Sequence, residues 1–216
     1  MAFDTKTRQL VTRIPVEVNP YELAFSPDGD TLFVSNWASK SVSVIDTRSN
    51  RVTGVIAVGA NPNDIKLSPD GRLFVACSND NTIHVIDIKK RTVLERISTT
   101  LTPQAPEGST PDTLELDSGR KLLFVANADN NAIGVINIAD PRHSEVLGFI
   151  PSGWYPSALT LAGGGRTLYI GNSKGQASYP DIKGPGSPLA SQWDGDESIK
   201  TLQKGQRRDG SAGGPP

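Results

Sequence analysis

The sequence predicts an all-β chain: a β-propeller of four-stranded antiparallel blades, with about three complete blades and parts of others, in an open, incomplete ring. Three observations predict this. Short motifs recur in order: Asn19-Pro20 as Asn61-Pro62, Ser26-Pro27-Asp28-Gly29 as Ser68-Pro69-Asp70-Gly71, and Phe33-Val34 as Phe74-Val75, Phe124-Val125 and Tyr169-Ile170. Their spacing is strict, because Val34 to Val44, Val75 to Val85 and Val125 to Val135 are each ten positions, the second valine opening Val-Ile-Asp or Val-Ile-Asn. No apolar run has the length or the 3.6-residue period of a helix, and four short strands in each ~40–45 residues is the pattern of propeller blades.

In the first full unit, strand a is expected at Tyr21 to Phe25, b at Thr31 to Ser35, c at Ser41 to Ile45 and d at Arg51 to Val58. These runs are rich in Val, Ile and Phe and are bounded by Gly, Asn, Asp and Pro. Between a and b, the proline of Ser-Pro-Asp-Gly presets φ and the glycine accepts a positive φ, which makes a tight reversal. Leu32-Phe33-Val34, with Val42, Val44 and Ile45, is apolar on both faces of its strands, as expected of sheets stacked between sheets.

Phe3-Asp4-Thr5 through Val11 and Ile14 matches the end of a unit. Residues 1–13 are therefore expected to close a preceding blade, and 14–172 to carry the repeats. Residues 173–216 are expected to form a Gly/Pro-rich insertion and a disordered tail, because Pro180-Asp181-Ile182 stands where Val-Ile-Asp should recur and little apolar sequence follows. A seven-unit ring needs on the order of 300 residues, so an open arc is expected. A closed ring of four blades is the competing outcome, and the fourth unit lacks a convincing strand c for it. Such an arc exposes the faces of its end blades and is expected to be unstable or to associate.

The formal net charge of −1 gives no broad electrostatic reason to expect nucleic acid as a partner. No stretch approaches the ~20 apolar residues that span a bilayer. Cys77 is the only cysteine, so no intrachain disulfide or thiolate cluster can form. His84 and His143 belong to no metal, haem or nucleophile motif and are read as packing or surface residues. Asp28, Asp70, Asp46 and Asp87 recur at turns, where a carboxylate accepts backbone N–H bonds, and show no calcium-loop spacing. No cofactor, metal or catalytic residue is expected in this chain.

Trp37, Trp154, Tyr155 and Tyr21 form the candidate site. In an up-and-down blade the d–a joints and b–c turns share one end, and all four aromatics fall there. They are read first as aromatic plugs between blades, and otherwise as the contacts for a protein or small-molecule ligand, which makes them the candidate site. The d–a joint between Ile97 and Pro111 spans fourteen positions, where Ile14–Pro20, Ile56–Pro62 and Ile150–Pro156 span six. Together with the excursion from Ser173 to Gly205, it enlarges the same end.

The pattern Asn-Pro-x-x-Leu-x-Phe-Ser-Pro-Asp-Gly, then Leu-Phe-Val-Ser-Asn, then Val-Ile-Asp resembles the YVTN family of propeller repeats over roughly Asp4 to Asn172. Ile150 to Ser157 and Leu168 to Gly175 resemble a narrower group of exported bacterial proteins, which join such a propeller to an alkaline-phosphatase-type phosphoesterase domain. The resemblance implies a periplasmic, cell-surface or secreted protein, with this chain a fragment of a larger one and further blades as its neighbours. The leading expectation is a non-catalytic binding or scaffold module. The first alternative is the accessory propeller of a phosphoesterase whose metal ligands and nucleophile lie downstream. A lactonase-type propeller enzyme using Glu22 or Glu115 ranks last, because strand a carries no recognisable motif.

Overall fold

Side chains alternate between the two faces of a strand, and in this chain that alternation decides which neighbour each residue meets. The computed structural model describes residues 1–102 and 108–175. Strands β1 (Ala2–Phe3) and β2 (Leu10–Thr12) form a two-stranded antiparallel pair. Blade 1 comprises β3 (Pro20–Phe25), β4 (Thr31–Asn36), β5 (Ser41–Asp46) and β6 (Arg51–Ala57). Blade 2 comprises β7 (Pro62–Leu67), β8 (Arg72–Cys77), β9 (Thr82–Asp87) and β10 (Thr92–Ser98). Blade 3 comprises β11 (Pro111–Asp117), β12 (Leu122–Asn127), β13 (Ala132–Asn137) and β14 (Glu145–Pro151). The last pair is β15 (Pro156–Ala162) with β16 (Thr167–Asn172).

Each sheet is an antiparallel meander, and β3, β7, β11 and β15 lie side by side in that order. The arc stays open among the described residues. Blade 1 agrees with the expected strands to within a residue at each end. The insertion and tail expected over 173–216 lie, from residue 176 onward, outside the described residues.

The turns show why these boundaries hold. Asp4, Asp46 and Asp87 each accept backbone N–H bonds from the residues just after them, at 2.7–2.9 Å, and so close the c–d reversals. Asn81 and Asn131 take left-handed φ of 52° at the b–c turns. Gly163, Gly164 and Gly165 all have positive φ where Ser-Pro-Asp-Gly stands elsewhere, a run that side chains with a Cβ rarely adopt.

Stacking builds one core per junction. Between blades 1 and 2, Phe33, Val42, Val44 and Ile56 pack on Ile65, Leu73, Val75 and Ile86. Between blades 2 and 3, Phe74, Ile83 and Val85 meet Leu114, Leu123, Val125 and Ile136. Between blade 3 and the last pair, Phe124 and Ile133 meet Leu159, Leu161, Leu168 and Ile170. The aromatic on strand b reports the arrangement directly: Phe33 is 1% exposed, Phe74 0% and Phe124 8%, whereas Tyr169 is 59% exposed. The open arc is expected to expose the faces of its end blades, apolar residues of the Leu168-Tyr169-Ile170 sheet among them, and Tyr169 is so exposed. The pleat divides that sheet, because Leu168 and Ile170 point back onto blade 3 and Tyr169 points onward.

Arg72 ties two blades together from a buried position. Its Nη2 donates to Ile138 O at 2.8 Å and to Asp70 Oδ2 at 2.8 Å, and its guanidinium lies 5.4 Å from the Phe74 ring centre. Burial pushes the Asp70 carboxyl up, but the bonds from Arg72 and Ser68 outweigh it and hold it below its ordinary range.

Candidate functional site: the loop-bearing face

The d–a joints and b–c turns meet at one end of the blades through a repeated backbone bond. Trp37 N donates to Asn19 O, Ser78 N to Asn61 O, Ala128 N to Thr110 O and Ser173 N to Tyr155 O, at 2.8–3.1 Å. The acceptor in each case precedes the proline that opens strand a, and all four residues have left-handed φ, from 48° to 58°. Asparagine tolerates that conformation through its short polar side chain; tyrosine does not favour it. Tyr155 therefore holds an aromatic ring at a backbone position where the first two joints use Asn19 and Asn61.

What surrounds Tyr155 follows from the blade geometry. Its backbone N–H donates to Asn131 Oδ1 at 2.8 Å, which fixes the joint against the turn of blade 3. Lys174 Nζ stands 4.2 Å from its ring centre, a cation–π contact. Burial, the carboxylates of Asp129 and Asp112, and the Tyr21 phenol hold the Tyr155 hydroxyl above its ordinary pKa. Asp112 accepts from Asn63 Nδ2 at 2.8 Å, and burial raises its carboxyl despite that bond. Asp129 in turn accepts from Thr110 Oγ1 at 2.5 Å.

The four aromatics named from sequence thus divide. Tyr155 and Tyr21 share one electrostatic neighbourhood. Trp154, 41% exposed, adjoins it and exchanges backbone bonds with Lys174 and Gly175. Trp37 stands at the joint of blades 1 and 2, its carbonyl accepting from Asn61 Nδ2 at 3.4 Å, and shares no hydrogen bond with the Tyr155 group among the described residues. Sequence reasoning missed Asp112, Asp129, Asn63 and Lys174. The only signal for them was their equivalent positions in successive repeats.

The strand-a carboxylates, Glu22 and Glu115 among them, make local or cross-blade bonds. Asp64 Oδ2 accepts from Leu114 N at 2.8 Å, and Glu115 Oε1 from Leu161 N at 2.9 Å. Each bond joins one inner strand to the next. Glu22 bonds its own neighbour, Leu23 N, at 3.0 Å. Burial pushes Asp64 above the ordinary carboxylate range, although the Leu114 N–H and Lys66 act against that. His84 is buried, its Nδ1 without a partner, and burial followed by the Arg96 charge lowers its pKa; His143 is exposed. Among the described residues, no group of three or more His, Cys, Asp or Glu side chains is placed to hold a metal ion. No helix there is long and apolar enough to cross a membrane.

Comparison with known proteins supports the architecture. The family model described as YNCE-like beta-propeller matches residues 2–159. Hydrazine synthase of Kuenenia stuttgartiensis is 27% identical with a TM-score of 0.62, over 74% of this chain and 44% of that one. A putative 6-phosphogluconolactonase from Bacteroides uniformis is 14% identical (TM-score 0.63), over 71% of this chain and 47% of that one. The periplasmic gluconolactonase PpgL of Pseudomonas aeruginosa is 18% identical (TM-score 0.62), with the same two coverages. The two lactonase likenesses show the fold alone, and the chain spans less than half the length of each of these three proteins. A search of curated proteins gives no match.

Proposed function

We propose that this chain, which belongs to the YNCE-like beta-propeller family, is a non-catalytic binding or scaffold module that meets its ligand at the loop-bearing face. The observation that carries the reading is Tyr155: a large aromatic kept in a left-handed backbone conformation, beside exposed Trp154 and with Lys174 Nζ 4.2 Å from its ring centre. Strain at a residue that two of the four joints fill with asparagine favours a use outside the core. An aromatic platform rimmed by Asp112, Asp129 and Lys174 suits a ligand with an apolar face and hydrogen-bonding groups. Trp37 offers a second aromatic contact one joint away.

Thermal-shift screening against sugars, lactones and amino acids, repeated with Tyr155→Asn, tests this. The substitution restores the residue found at two other joints and preserves the fold. A hit lost in that variant supports the reading; hits that survive both it and Trp154→Ala overturn it. Lactone hydrolysis that disappears in Glu22→Gln or Glu115→Gln would instead favour the lactonase-type enzyme.

A second reading rests on the Ile150–Ser157 and Leu168–Gly175 segments, whose resemblance favours an accessory propeller of an exported phosphoesterase. Its catalytic groups would belong to sequence following Pro216. Reading the gene beyond that point tests it: absence of a phosphatase-like domain removes the enzyme link. Fractionation of cells making the natural protein checks the periplasmic or surface location that goes with it.

A further inference from the structure

The Tyr155 ring already carries an ammonium. Lys174 Nζ stands 4.2 Å from the ring centre, and the backbone decides that placement: Ser173 N donates to Tyr155 O at 2.9 Å, Lys174 N to Trp154 O at 3.2 Å and Trp154 N to Gly175 O at 2.8 Å. Joint and turn lie so close that a Cβ on Gly153 would come within 2.8 Å of Gly175 O. The same two repeat positions meet in the joint before blade 3, where Thr110 Oγ1 donates to Asp129 Oδ2 at 2.5 Å. Ring and ammonium thus replace hydroxyl and carboxylate at equivalent places. Asn131 Oδ1, which accepts from Tyr155 N at 2.8 Å, ties the turn that carries Asp129 to the ring's own backbone.

The charges around the ring are unbalanced in one direction. Asp112 is held by Asn63 Nδ2 and Asp129 by Thr110 Oγ1, both neutral donors, and neither carboxylate pairs with a Lys, Arg or His among the described residues. The two also act on each other, since the Asp129 charge adds to the burial that raises the Asp112 carboxyl. Lys174 is exposed, so its side chain can leave the ring while its backbone stays bonded. An exposed cation–π contact favours the closed arrangement by only about two- to fivefold.

We infer that the loop-bearing face recognises an alkylammonium group, which takes the place of Lys174 on the Tyr155 ring while Asp112 and Asp129 supply the opposite charge. The inference rests on that face being the binding face, as proposed above, and names the chemistry it selects. Lys174 is then an internal stand-in that keeps the ring covered and lowers the apparent affinity for the ligand by the fraction of time it occupies the site. A neutral ligand of the same shape gains nothing from the two carboxylates, and an anion is repelled by them, so charge selects the ligand. The ammonium can belong to a free amine or to a lysine side chain, because the recognising chemistry is the same.

NMR titration of the 216-residue chain with n-butylammonium and with N-acetyl-lysine amide tests this, with n-butanol and N-acetyl-norleucine amide as the neutral counterparts. Before any ligand is added, the Tyr155 ring current should move the Lys174 ε-methylene protons upfield, and Tyr155→Asn should remove that shift. At least one ammonium probe should release it, and the neutral counterparts should not. Lys174→Met, at an exposed position, should tighten ammonium binding roughly three- to sixfold by removing the competitor. Asp129→Asn, which keeps an acceptor for Thr110, should weaken binding, and Tyr155→Asn should abolish it. Tighter binding of the lysine amide identifies a lysine side chain as the source, tighter binding of butylammonium a free amine, and either order supports the inference. Neutral counterparts that bind as well as the ammonium probes would overturn it. Sugars or lactones that bind in a Tyr155-dependent way, while both ammonium probes leave the Lys174 signals unmoved, would also overturn it and leave the binding face standing. If no ligand of any kind depends on Tyr155, both fall.

Discussion

Truncating Phe74 to alanine should separate blade stacking from strand propensity as the source of stability. Phe74 has no exposed surface and lies in the junction formed by Leu114, Leu123, Val125 and Ile136. Removing a fully buried phenylalanine costs ~3–5 kcal/mol, the transfer of the ring plus the cavity it leaves. In a domain of this size that corresponds to a fall in Tm of roughly 6–20 °C. Phe33→Ala, equally buried at the preceding junction, should cost about the same, and Phe124→Ala, slightly exposed, should fall toward ~3 kcal/mol. Tyr169→Ala occupies the same place in its repeat and should cost under ~1 kcal/mol, because most of the ring already faces water. Urea melts supply the comparison, and hydrogen exchange locates the loosened junction. A loss at Tyr169 equal to that at Phe74 would refute the assignment of each face to its neighbouring blade.

His84→Ser, which inserts the residue found at Ser43 in the first repeat, should flatten the acid-side stability profile. The folded state lowers the pKa of His84, so its contribution is present above ~6.5 and is lost as pH falls through the lowered value. Urea midpoints at pH 7.5 and pH 5 should therefore lie closer together in the variant. Asp64 has the opposite sign: its raised pKa favours the folded state most below ~3.9 and less as pH rises. Asp64→Asn keeps an acceptor for Leu114 N–H and should hold or raise stability at pH 7, while Asp64→Ala strands that donor and should cost ~1–3 kcal/mol by thermal melting. Arg72→Met retains the packing against Phe74 but removes the bond to Ile138 O, with an expected loss of ~1–3 kcal/mol in the same assay.

The strands, the turns and the sharing of one end by the d–a joints and b–c turns were legible in the sequence because each is encoded locally. Ser-Pro-Asp-Gly presets a reversal, an asparagine before proline accepts left-handed φ, and alternation of period two tells which residues share a face. Equivalent residues at fixed spacing then placed Trp37, Trp154, Tyr155 and Tyr21 at one end without knowledge of any contact. Only the tertiary structure decided what those residues touch. Asp64 reaches Leu114, Glu115 reaches Leu161 and Arg72 reaches Ile138 across 46 to 66 positions of chain, and each link exists because stacked blades bring two inner strands or two faces together. The same stacking brings Tyr155 under the electrostatic influence of Asp129 and Asp112 from blade 3 and of Tyr21 from blade 1. A repeat sequence specifies its unit through short-range torsional and steric preferences; the packing of one unit on the next then commits its polar side chains to cross-blade bonds or leaves them facing solvent.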